Sequence, residues 1–77
     1  MITVKILIDS AEKVKKFSAI LSRENVECEL IEGFRIVDAK SVMGIFSMDL
    51  SKPIQLKIHS DNREILDHLK EFVVAGA

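Results

Sequence analysis

The sequence predicts an α+β fold: a four-stranded, mainly antiparallel sheet with helices on one face, in the order βαββαβα. Three observations predict it. Short stretches of β-branched residues alternate with polar ones near the start, in the middle and near the end of the chain. Two longer stretches repeat their apolar residues at helical spacing. Each of those helices has one apolar face, so two layers are enough to bury everything.

The elements follow in order. Ile2, Val4, Ile6 and Ile8 alternate with Thr3, Lys5 and Leu7, which predicts a first strand buried on one side. Asp9 stands three residues before Glu12, the spacing of a capping box, although Ser10 is an equally good N-cap. From Ala11 to about Glu24, Val14, Phe17, Ile20 and Leu21 recur at helical spacing, with Lys13, Lys15, Lys16 and Arg23 on the wet side. Val26, Cys28 and Leu30 then alternate with Glu27 and Glu29 as a second strand. Glu32-Gly33 is a turn and Phe34 to Val37 the returning strand. Ser41 caps a short helix over Val42 to Phe46, and Asp49 to Pro53 is a loop. Ile54, Leu56 and Ile58 make a fourth strand, with Pro53 tolerated at its start. Asp61 and Glu64 repeat the capping-box spacing ahead of a last helix striped by Ile65, Leu66, Leu69, Phe72 and Val73, and Val74 to Ala77 is a fraying tail.

Length and composition narrow the function. Seventy-seven residues make one domain, 1–77, and a chain of this size hides only about 60% of its unfolded surface. Eleven basic against twelve acidic side chains leave a net charge of −1, so there is no concentrated positive charge for a nucleic-acid partner. One cysteine excludes an internal disulfide, and no cluster of Cys, His and Asp offers a metal site or holds a cofactor. No apolar run approaches the ~20 residues that cross a bilayer, and the amino terminus carries no basic leader, so the expected place is the cytoplasm, away from membrane.

Chemistry-bearing residues are few. Neither His59 nor His68 has a carboxylate pair or a Ser or Cys partner close in sequence, so both read as surface or boundary residues and no catalytic set emerges. Cys28 reads as an inert, buried thiol. The run from Ser41 to Met48 is more informative. It holds two Met, a Phe and two branched aliphatics, more than a short helix can turn inward, and is rimmed by Lys40, Asp49 and Lys52. Val42, Met43, Phe46 and Met48, with Lys40 and Lys52, are therefore the expected partner-binding patch, Met being adaptable at such surfaces. A rival reading turns Val42, Ile45 and Met48 into the sheet. Ser41 contributes ~1 kcal/mol as an N-cap, and a phosphate on it would sit at the positive end of a helix with about two negative charges inside the patch.

The segment from Ala39 through Ser41 to Met48 resembles the region around the regulatory serine of HPr, the histidine phosphocarrier of the bacterial sugar phosphotransferase system, and the resemblance runs ungapped from about Ile6 to Val73. It implies that family's open-faced β-sandwich. In the family, a histidine before the first helix, followed by Ala-Arg-Pro, carries a phosphoryl group from enzyme I to sugar-specific carriers. Here the histidine position falls at Ser10, the alanine at Ala11, the arginine at Glu12 and the proline at Lys13. The acceptor imidazole is missing, and a carboxylate at Glu12 repels phosphoryl oxygens that an arginine would hold. An alkyl phosphate on Ser10 would also lack the transfer potential of a phosphoimidazole.

The serine modified in the family's Gram-positive members corresponds to Ser41, and the surface meeting carriers and regulators to Val42, Met43, Phe46 and Met48. The loop from Asp49 to Pro53 departs from the family, which often has glycine there. The resemblance thus implies a non-enzymatic regulatory or adaptor protein whose partner is a serine kinase, a transport component or a transcriptional regulator. Two alternatives stay open: a phosphocarrier with an unusual acceptor, His59 or His68, and a small ligand-binding or dimerising regulatory domain.

Overall fold

The computed structural model describes residues 1–76. It contains β1 (Ile2–Ile6), α1 (Ala11–Ser22), β2 (Cys28–Glu32), β3 (Arg35–Asp38), α2 (Val42–Phe46), β4 (Ile54–Ile58), α3 (Glu64–His68) and β5 (Val73–Gly76). The strands form one antiparallel sheet in the order β3-β2-β4-β1-β5. This is the expected open α+β sheet with a fifth strand added beside β1.

Alternation decides which face of each strand is buried. Ile2, Val4 and Ile6 of β1, Cys28 and Leu30 of β2, and Ile54, Leu56 and Ile58 of β4 all turn inward. They meet Val14, Phe17 and Leu21 of α1, Ile45 of α2 and Ile65 of α3. The rings of Phe17 and Phe72 meet edge to face at 5.7 Å and 86°, an arrangement that suits the aromatic quadrupole. No polar or charged residue is buried among those described.

Local signals set the boundaries. Gly33, at φ 61°, supplies the left-handed conformation of the two-residue hairpin between β2 and β3. Ser10, extended at φ −146° and ψ 156°, is the cap of α1 and accepts from the Lys13 amide at 3.1 Å. Asp9 instead takes the Lys13 ammonium at 2.8 Å.

The C-terminal region differs from expectation in three ways. The last helix stops at His68, and Leu69 to Phe72 form turns, with the Phe72 amide bonded to the Leu69 carbonyl at 2.9 Å. The Asp61–Glu64 capping box does not form. Asn62 Oδ1 accepts from the Glu64 amide at 3.1 Å, and Asp61 pairs with the Met1 ammonium, which holds its carboxyl below the usual range. Val73 to Gly76 neither continue the helix nor fray but pair with β1, so the sheet has five strands, not four. The reason is that a stripe of Ile65, Leu69 and Phe72 is buried equally well by one helical turn followed by tight turns. After it, the β-branched Val73 and Val74 favour extended backbone, and the uncovered edge of β1 offers partners for it. Ala77, the end of the expected tail, lies outside the described residues.

Candidate functional site

Register places the two serines. β1 runs toward Ile6, which pairs with Ile54, and Ile31 of β2 lies across from Gln55 and Ile36. Ser10 therefore opens α1 at the end of the sheet shared by Ile6, Ile54 and the β2–β3 turn. Ser41 follows β3 at the other end, where Asp38 lies across from Glu29. Between them α2 climbs back toward the Ser10 end, since Ser47 after α2 reaches Arg35 at the start of β3.

Ser41 is extended at φ −91° and ψ 107°, and its Oγ accepts from the Gly44 amide at 3.2 Å. Its carbonyl accepts from the Ile45 amide at 2.9 Å. Gly44 permits this cap and the seating of α2 on the sheet. A Cβ there would stand 3.3 Å from Ser41 Oγ and 3.4 Å from the Val37 Cβ. α2 thus lies close over β3 with Ile45 fully buried.

Seating α2 in this way sorts its apolar side chains. Met43 is 87% exposed, Phe46 49% and Val42 43%, while Met48 is only 6% exposed. Met48 is therefore a correction to the expected patch: it follows the last turn of α2 inward to join Ile45, as the rival reading had it, whereas Val42 faces solvent. Lys40 is exposed at the Ser41 end, but its ammonium donates to the Glu24 carbonyl at 2.7 Å, which fastens the β3–α2 connection to the end of α1. Lys52 is exposed beside Asp49, with Nζ 3.9 Å from the carboxylate.

One residue of this surface escaped the sequence reading. Arg35 donates to Ser47 O and to Ser47 Oγ, each at 2.7 Å, and so ties β3 to the end of α2. Alternation alone would have put Arg35 on the same side as Val37. Nothing in the sequence names Ser47, twelve residues on, as its partner.

At the other serine, the Ser10 hydroxyl is engaged as a cap, and its neighbours are Asp9, Glu12 and a Lys13 already paired with Asp9. Neither histidine is near. His59 follows β4 at the Ile2 end of the sheet and binds Glu29 at 2.5 Å, some four strand residues or roughly 13 Å along β1 from Ile6. His68 binds Glu24 at 2.7 Å beyond the far end of α1, about 20 Å from Ser10 along the helix. Ser10 thus has carboxylates but no imidazole beside it. Cys28 is 2% exposed, and burial pushes its thiol up to about 11. Among the described residues no three His, Cys, Asp or Glu side chains gather as metal ligands, and no helix of the described residues is long and apolar enough to cross a membrane.

No protein-family model matches the sequence, and no curated relative matches it. Solved structures do. The chain is similar to the crystal structure of HPr-C-His from Thermoanaerobacter tengcongensis, with a TM-score of 0.77 and 25% identity over 92% of this chain and 89% of that one. It is also similar to the phosphocarrier protein HPr from Bacillus anthracis str. Ames, with a TM-score of 0.69 and 25% identity over 94% of this chain and 93% of that one.

Proposed function

Taking the chain as the HPr-like protein it is, we propose that it works as a non-catalytic regulatory or adaptor protein in or beside a sugar phosphotransferase system. It binds a protein partner through Val42, Met43 and Phe46 and accepts a phosphoryl group on Ser41. The observation that supports this best is the contrast between the two serines. Both hydroxyls cap a helix, but Ser10, which the resemblance sets at the carrier position, has the carboxylates of Asp9 and Glu12 as neighbours, whereas Ser41 opens a short helix that leaves Val42, Met43 and Phe46 exposed.

The chemistry is simple at Ser41. A serine kinase transfers the γ-phosphoryl group of ATP to Ser41 Oγ, the hydroxyl proton is lost and ADP leaves. The dianion then stands at the start of α2, where the helix end favours it, and alters the charge of the surface around Met43. At Ser10 the same step is opposed by Glu12 and yields only a stable ester that cannot pass the group on.

The test uses intact mass. Treatment with an HPr-type serine kinase and ATP should add one phosphate to the wild type and none to Ser41→Ala. Treatment with phosphoenolpyruvate and enzyme I should add no acid-labile label. A labile label lost in His59→Ala or His68→Ala would replace this reading with that of a phosphocarrier.

A further inference from the structure

The segment from Ser41 to Met48 holds two of the chain's three methionines, and the fold treats them oppositely. Met43, on α2, is 87% exposed, whereas Met48, five residues on, is 6% exposed and lies in the core with Ile45. The third, Met1, is exposed at the start of β1, outside that segment.

Exposure decides the chemistry open to each. The sulfur lone pair of a thioether attacks one oxygen of a peroxide, the O–O bond breaks, the sulfur keeps that oxygen and water leaves. The oxidant has to reach the sulfur, so Met43 reacts and Met48, turned inward after α2, is shielded. The product matters as much as the access. A sulfoxide is a polar acceptor, costly inside a core and tolerated where it stands in water. Met43 is outside the core cluster, so its oxidation leaves the packing intact and changes only the face on which Val42 and Phe46 are also exposed. The other oxidisable sulfur does not compete. Cys28 is 2% exposed, and burial pushes its thiol up to about 11, which withholds the reactive thiolate.

We propose that Met43 is an oxidation switch: a peroxide converts it to the sulfoxide and so closes the α2 face to partners, and a dithiol-dependent sulfoxide reductase reopens that face. In the return step the sulfoxide oxygen leaves as water while two thiols of the reductase become a disulfide. Met43 stands two residues after Ser41, so a kinase that reaches the Ser41 hydroxyl must also cover Met43. The consequence for partners rests on the function proposed above, while the selectivity among the sulfurs does not.

The test oxidises native protein with hydrogen peroxide, maps the added oxygen by peptide mass, and then adds an HPr-type serine kinase and ATP. Met43 should gain one oxygen while Met48 remains a thioether, and the urea midpoint should not move. Oxidised wild type should take phosphate on Ser41 more slowly, and methionine sulfoxide reductase with a thiol reductant should restore the rate. Met43→Leu, which keeps the apolar face and still oxidises at Met1, should be phosphorylated equally before and after peroxide. Oxidation of Met48 as fast as Met43, or a lower urea midpoint in protein oxidised at Met43 alone, overturns the proposal. Equal phosphorylation of reduced and oxidised wild type also overturns it and leaves the proposed function standing. A wild type that takes no phosphate before oxidation overturns both.

Discussion

Two serines of the same type and local role stand at opposite ends of the sheet, each capping a helix through its Oγ. Replacing either by alanine leaves one amide without its acceptor, and each change should cost ~1 kcal/mol in urea unfolding. Cys28 gives a sharper residue-scale expectation. With its pKa raised to about 11 by burial, about a thousandth of the thiol is ionised at pH 8, and native protein should resist alkylation that denatured protein undergoes at once. The sign for stability follows. The folded value lies above the unfolded one, so the contribution is intact below pH ~9 and is lost as pH rises through about 11. Unfolding followed across that window should show a falling midpoint that a Cys28→Ser variant lacks. The positions of these residues were legible beforehand: Cys28 from the alternation of its neighbours, and Ser41 from its place before an apolar run. The inward turn of Met48 was not, because a two-turn segment rich in apolar side chains has no surplus of polar ones to mark its wet side.

Element by element, the first four strands and the first long helix follow from local pattern and α2 from its Ser41 cap, while the end of the chain does not. Apolar residues at 65, 69 and 72 fit a continuous helix or a single turn followed by tight turns, and local pattern cannot choose between them. The choice is made by the edge of β1, a partner some seventy residues away. Deleting residues 73–77 should therefore speed amide exchange at the positions of β1 that face β5, while those that face β4 stay protected. Uniform loss of protection along β1 would mean that β5 supports the whole sheet rather than its rim. α2 carries a second expectation at this scale. Because a Cβ added at Gly44 would stand 3.3 Å from Ser41 Oγ and 3.4 Å from the Val37 Cβ, Gly44→Ala trades better helix propensity against crowding of the cap and the sheet. It should raise the exchange of the Ile45 amide without unfolding the domain.

The molecule as a whole depends on one small core with α1 and the turns after α3 closed over the sheet. Phe17 and Phe72 join these two pieces, and Phe72→Ala should cost about 3–5 kcal/mol, a large part of the total for a chain of this size. The urea midpoint should fall accordingly, and a change below ~1 kcal/mol would show that the C-terminal region is not docked there. The clamp from Arg35 to Ser47 has an effect beyond holding two elements together. Through it, the outermost strand and the turn that leaves α2 share one pair of hydrogen bonds, so whatever repositions one draws on the other. The free side of the sheet and the exposed face of α2 are thereby held at a fixed distance by a single side chain.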